Sequence, residues 1–271
     1  MNPTPLEYVE HHPVGPLGTR VRCIWALRAP TDPASRFEPV FPDGCMEVVF
    51  NLAAQFERLG PDRAERQASE LLVGQLLEAI RLRPTGRIDI LGVRFQPWGL
   101  KGSGWISPEE VAGRTVPVAD LGGPLRGTVS ERLSEIPDLR RRCLAMERIL
   151  TGSPFTSGDL SPPPALVSLA RGTLRSVSGA AAAAGVSTRQ IERLSAQWTG
   201  LSPRELIHLV RFQRALARLR RFPEQSLARI AHESGFADHA HFTRDFSRFA
   251  GVTPSLFRAS IAPMTAAFIP E

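Results

Sequence analysis

Two stretches decide how this chain is read. The first is Gly185-Val186-Ser187-Thr188-Arg189-Gln190-Ile191, closing on Trp198-Thr199-Gly200-Leu201-Ser202-Pro203. The second is Gly235-Phe236-Ala237-Asp238-His239-Ala240-His241-Phe242, closing on Phe249-Ala250-Gly251-Val252-Thr253-Pro254. Counted back from each proline, Gly lies at three, an aromatic at five and an apolar residue at twelve. Such spacing implies two copies of one supersecondary unit. In each copy a small-residue helix (Ala180 to Ala184; Ala228 to Ser234) lets the next helix cross closely, and a Gly takes the turn, where positive φ is cheap. Ser187 and Asp238 supply N-cap oxygens for the second helix. That helix has an apolar face: Ile191, Leu194 and Trp198 in one copy, Phe242, Phe246 and Phe249 in the other. These are helix-turn-helix units, and the opposite face of each second helix is left for a partner.

Outward from the repeat, the last hundred residues read as all helical. Helices are expected over Leu166 to Val177, Ser178 to Ala184, Ser187 to Trp198, Pro203 to Arg221, Leu227 to Ser234 and His239 to Phe249, with a last one from Pro254. The Pro203 to Arg221 rod of about 19 residues, near 28 Å at about 1.5 Å per residue, would hold the two units at about the spacing of successive major grooves. Charge points the same way. From Leu166 onward there are 14 Arg and 7 acidic residues, whereas residues 1 to 165 hold 19 basic and 20 acidic groups. The whole excess of +6 therefore sits in the helical part, as a polyanion partner requires. Double-stranded DNA is the expected partner.

The repeat, with Val210-Arg211-Phe212-Gln213-Arg214-Ala215 and Ile230-Ala231, resembles the DNA-binding domain of the AraC/XylS family of bacterial transcription regulators over residues 166 to 260. The candidate DNA-contacting residues are Thr188, Arg189, Glu192 and Arg193 on the first recognition helix, and His239, Ala240, His241, Thr243 and Arg244 on the second. By the resemblance, Arg189, Glu192, Arg193, His239, Ala240 and Arg244 match groove-facing positions and His241 a backbone-contacting one. The family usually has Leu where Ala180 stands and a large aromatic where Ser195 stands. Both changes shrink the first unit's core, so that unit is looser or Trp198 fills the gap.

The N-terminal half reads as strands between Pro/Gly turns, favouring a barrel or sandwich: Val21 to Leu27, Met46 to Leu52 after Pro42-Asp43-Gly44, and Ile88 to Phe95 after Pro84-Thr85-Gly86. From Ser107-Pro108 to Leu150 the pattern turns helical, with a dimer candidate over Ile136 to Leu150. Pro42 to Leu52, Gly86 to Pro97 and Arg114 to Leu121 resemble an uncharacterised sensor-like domain that precedes this DNA-binding domain in relatives. The resemblance implies a cupin-like barrel plus helices that binds a small-molecule effector, forms a homodimer, or does both. The expected fold class is thus α+β multidomain, with a strand-rich cupin-like barrel plus helices followed by an all-α domain of two helix-turn-helix units. Residues 1–150 form the sensor or dimerisation domain, with strands to about 105 and helices over 108–150; 151–164 form a Pro/Ser/Gly-rich linker and 165–262 the DNA-binding domain.

Catalytic chemistry finds little to stand on. Cys23, Cys45 and Cys143 are scattered and form no CxxC pair, which fits buried thiols in a reduced cytoplasmic setting. No apolar run of about 18 residues spans a membrane, and the N-terminus lacks a secretory pattern. His11 and His12 are the only histidines in the first 200 residues, and no HxH or HxxxE pattern marks the strands. His239 and His241, i and i+2 on a helix, cannot share one ion. No catalytic residue, cofactor or metal is expected. Glu47 and Arg94 interrupt apolar strands and read as solvent-facing rather than paired in a core or lining a pocket. Trp98 and Trp105 either wall a ligand or close the fold. The alternative reading is an enzyme-like N-terminal barrel with an appended DNA-targeting domain.

Overall fold

The computed structural model describes residues 6–30, 36–121, 125, 129–153 and 161–259. The strands are β1 (Glu7–His11), β2 (Val21–Ala29), β3 (Glu38–Val40), β4 (Glu47–Asn51), β5 (Phe56–Leu59), β6 (Ala64–Arg66), β7 (Glu70–Val73), β8 (Ile80–Pro84), β9 (Ile88–Phe95) and β10 (Thr115–Pro117). They form two antiparallel sheets, ordered β1-β2-β9-β4-β7-β10 and β3-β8-β5-β6. Among the described residues no strand pair joins the two, so the strand-rich domain is a pair of packed sheets rather than the closed barrel expected.

The larger sheet is covered on both faces, which is why β2 and β9 read as continuous apolar runs. Alternation sends Ile24, Ala26, Leu91, Val93 and Phe95 to one core, and Trp25, Leu27, Ile88 and Ile90 to another shared with Phe56 of the smaller sheet. Gly92 belongs to the Trp25 face, where an added Cβ would lie 2.1 Å from the indole. Only glycine lets that ring lie flat across the strand.

The helices are α1 (Gly15–Gly18), α2 (Pro108–Val111), α3 (Val129–Ser134), α4 (Leu139–Thr151), α5 (Pro164–Ala170), α6 (Val177–Ala184), α7 (Thr188–Thr199), α8 (Pro203–Arg221), α9 (Leu227–Ser234), α10 (His239–Ala250) and α11 (Pro254–Ala259). None is long and apolar enough to cross a membrane. The dimer candidate, α4, buries Leu139, Cys143, Met146 and Leu150 in its own sheet's core, and its start is set by Asp138, whose side chain accepts from Arg141 N at 2.7 Å. The wholly helical reading of residues 107 to 150 is corrected by β10, which pairs with β7. Thr151 belongs to α4 and Pro164 to α5, which trims the expected linker at both ends; its residues 154–160 lie outside the described set.

The helix expected over Leu166 to Val177 is α5, and it stops at Ala170. Gly172 takes φ +72°, and Arg214 of α8 donates to its carbonyl at 2.8 Å, so a tertiary bond turns the chain there. Beyond it, α8 and α9 have the expected bounds, α6 and α10 differ by a residue at one end, and α7 lies one residue further along at both ends. Trp98 and Trp105 are both structural: the first donates to Thr19 O at 2.9 Å, and the second meets Phe95 edge-on at 5.8 Å between centroids.

Candidate nucleic-acid interface and sensor cavity

Each helix-turn-helix unit is built as its sequence requires. Gly185 (φ +64°) and Gly235 (φ +89°) end the first helices in the left-handed region. Ser187 Oγ accepts from Gln190 N at 3.3 Å while the Gln190 side chain reaches back to Ser187 N at 2.9 Å, closing a capping box. Asp238 Oδ1 accepts from His241 N at 2.7 Å, and this bond with that from Ala240 N holds its carboxyl below the ordinary range. The buried stripe of α7 is Ile191, Ser195 and Thr199; that of α10 is Phe242, Phe246 and Phe249.

The two departures from the family pattern are accommodated differently from simple loosening. Ser195 is fully buried and donates to Leu201 O at 2.7 Å, so a hydrogen bond replaces aromatic packing at the helix end. Ala180 is equally buried, with Trp198 packed against the same cluster. The first unit therefore keeps a closed, smaller core.

Thr188, Arg189, Glu192, Arg193, His239, Ala240 and Arg244 are exposed. They stand away from the buried stripes, the first four on α7 and the last three on α10. Thr243 and His241 are half-buried. Thr243 Oγ1 donates to His239 O at 2.9 Å, and His241 Nε2 lies 3.2 Å from Asp245 Oδ2. His208 of α8 reaches the same oxygen through Nδ1. Among the described residues, His208, His241 and Asp245 are the one set of His, Cys and acidic side chains close enough to hold a metal ion. The spacing of His239 and His241 on one helix does not point to His208, which only helix packing brings near. No periodic signal marks it.

A cavity of about 120 Å³ lies between the two sheets, walled by Trp25, Leu27, Val49, Phe56, Ile80 and Ile90. One end is polar. Glu47 and Arg94 are cross-strand partners in register, and Arg94 Nε lies 3.2 Å from Glu47 Oε1 and 3.4 Å from Asp43 Oδ2. Arg94 is only 8% exposed, so the expectation of a solvent-facing site is corrected: it is paired and lines the cavity. Burial pushes the Glu47 carboxyl up more than Arg94 pulls it down. Burial also works against the Arg94 charge, but Glu47 and Asp43 outweigh it and hold the guanidinium well above its ordinary value. Cys45, beside them, is pushed up to about 12 by burial, which leaves a thiol rather than a nucleophilic thiolate.

The segment from Glu38 to Glu47 touches both halves of the molecule. Phe41 and Asp43 line the cavity, yet Phe41 is also buried in the aromatic core of the second helix-turn-helix unit, 5.5 Å from Phe257 and 6.4 Å from Phe212. Gln213 of α8 donates to Pro42 O. Nothing in the periodicity of this segment announces such a role; Pro42-Asp43-Gly44 reads only as a turn.

Residues 180–260 match the family described as a helix-turn-helix domain, and residues 9–117 match a domain of unknown function (DUF6597). No curated protein matches the chain. Similar solved structures include ToxT from Vibrio cholerae, at 12% identity and TM-score 0.48, covering 94% of this chain and 98% of that one. Unsaturated fatty acid-bound ToxT of strain SCE256 gives 12%, 0.47, 93% and 94%. The AraC-like transcriptional activator CuxR gives 14%, 0.31, 79% and 82%. The chain thus ends in a helix-turn-helix domain of the AraC type, the mark of DNA-binding transcription regulators, and carries before it a strand-rich domain of unknown function.

Proposed function

We propose that this chain is a sequence-specific, DNA-binding transcription regulator whose N-terminal domain answers to a small-molecule effector. The observation that carries the DNA reading is the pair of equivalently capped helices, α7 and α10, with Arg189 and Arg193 exposed on the first and His239 and Arg244 exposed on the second. An arginine in the major groove bonds guanine O6 and N7 together, whereas contacts to phosphate position without specifying. Thr188, Glu192, Ala240 and Thr243 fill out the two groove faces, and His241, half-buried beside Asp245, suits a backbone contact. Residues 1–150, 151–164 and 165–262 serve as sensor, linker and DNA-binding domain.

Arg244→Ala is expected to weaken a cognate site by about 1–3 kcal/mol and to relax base preference there. Fluorescence anisotropy against matched and mismatched duplexes reads both. An unchanged ratio of specific to competitor affinity would remove Arg244 from base readout. The effector reading rests on the cavity and on the segment that shares its wall with the helical core: a ligand that shifts Asp43 or Phe41 shifts what α8 packs against.

A further inference from the structure

We propose that His208, His241 and Asp245 form a site for a divalent transition-metal ion of the zinc type, which ties α8 to α10 inside the second helix-turn-helix unit. The site is independent of the effector reading. Convergence comes first. His241 and Asp245 are i and i+4 on α10 and so share one face of that helix, and His208 reaches them from α8. The ligand atoms that the three side chains offer lie within 4.8 Å of one another. Zinc holds imidazole nitrogen and carboxylate oxygen at about 2.0–2.2 Å, which spaces tetrahedral ligand atoms about 3.3–3.6 Å apart. His241 Nε2 and Asp245 Oδ2 already stand 3.2 Å apart. Side-chain rotation supplies the remaining adjustment.

Hydrogen bonding accounts for only part of the cluster. His208 Nδ1 bonds Asp245 Oδ2. His241 Nε2 approaches the same oxygen without the alignment of a hydrogen bond, and neither of its ring nitrogens has a hydrogen-bond partner among the described residues. The ring is nonetheless held in place: Phe236 meets it edge-on at 5.6 Å between centroids, and His208 does so at 5.8 Å. Three side chains are thus set around one point, with an imidazole nitrogen to spare.

The donor set names the ion. Two imidazoles and one carboxylate suit zinc and its neighbours cobalt, nickel and copper, whereas magnesium and calcium take oxygen ligands. Side-chain exposures of 30% for His208, 23% for His241 and 14% for Asp245 leave the cluster half-open, so water can complete a tetrahedron. An ion there would fix α10, which carries His239 and Arg244, against α8.

The test uses the full chain, untagged and stripped with a chelator, with zinc chloride as the probe. Calorimetric titration is expected to show one zinc ion bound per chain and no response to magnesium. His208→Gln and His241→Gln each keep a hydrogen-bonding side chain. Each is expected to weaken zinc by at least the about 10- to 100-fold that loss of an outer-shell partner costs. Zinc is expected to raise the melting temperature of the parent and of neither variant. Cobalt(II) reads the donors: visible bands of a tetrahedral ion are expected, without a thiolate charge-transfer band. A thiolate band would place the ion on a cysteine and overturn the proposal. Zinc affinity unchanged in either histidine variant also overturns it, as does no zinc binding at submillimolar concentration, which leaves a hydrogen-bonded cluster only. Should His208→Gln not fold, Asp245→Asn takes its place under the same criteria.

Discussion

Asp89→Ala is expected to destabilise the strand-rich domain by about 3–5 kcal/mol, because it strands a buried guanidinium. Arg142 of α4 is 1% exposed and ion-pairs with Asp89 of β9. The same carboxylate lies 3.4 Å from Arg28 and 3.6 Å from Arg87. Arg142 also donates through Nε and Nη2 to Ile136 O, so its geometry is held on two sides and it cannot easily swing to water. Alanine leaves the charge in place and removes its counter-ion. The partner change, Arg142→Met, removes the demand instead, and the double variant Asp89→Ala/Arg142→Met is expected to recover much of the loss. Urea unfolding followed by tryptophan fluorescence measures all three. A single variant within about 1 kcal/mol of the parent would show that the pair is not sealed from solvent.

Phe41→Ala is expected to act at a distance from its own strand. A buried phenylalanine cut to alanine costs about 3–5 kcal/mol where the cavity does not collapse. Phe41 is 8% exposed, and its edge-on contact with Phe257 belongs to the helical core, not to the sheets. Most of the loss should therefore fall on the docking of the two halves. Calorimetry is expected to resolve one transition into two, and proteolysis between the halves to quicken. Operator affinity should change as well, since Phe212 of α8 and Phe257 of α11, which meet Phe41, both pack against Phe246 of α10. An unaltered single transition would mean that the helical core holds without the plug. By the same reasoning, a fragment lacking residues 1–160 should fold yet expose Phe212 and Phe257, and so be less stable than its own helices suggest.

Much of the helical part was legible because its signals are local. Capping residues, glycines at positive φ and an apolar stripe of period 3.6 act within a few residues, and Ser187, Gly185, Asp238 and Gly235 do what their types allow. Where a helix ends for a tertiary reason, as α5 does under Arg214, the local pattern runs on too far. β10 escaped notice because three residues carry no period; its existence depends on the edge of β7.

By itself the sequence determined the repeat, the bounds of α8 and α9, the basic helical half and the exposed faces of two equivalent helices, since each follows from chemistry spaced at fixed short intervals. The tertiary structure alone decided that the strands form two open sheets, that Glu47 and Arg94 meet beside Asp43, that His208 joins His241 and Asp245, and that Phe41 leaves one domain to fill the core of another. Those outcomes depend on which surfaces remain to be buried once the local elements exist. A chain distance of tens or hundreds of residues carries no periodic trace of that choice.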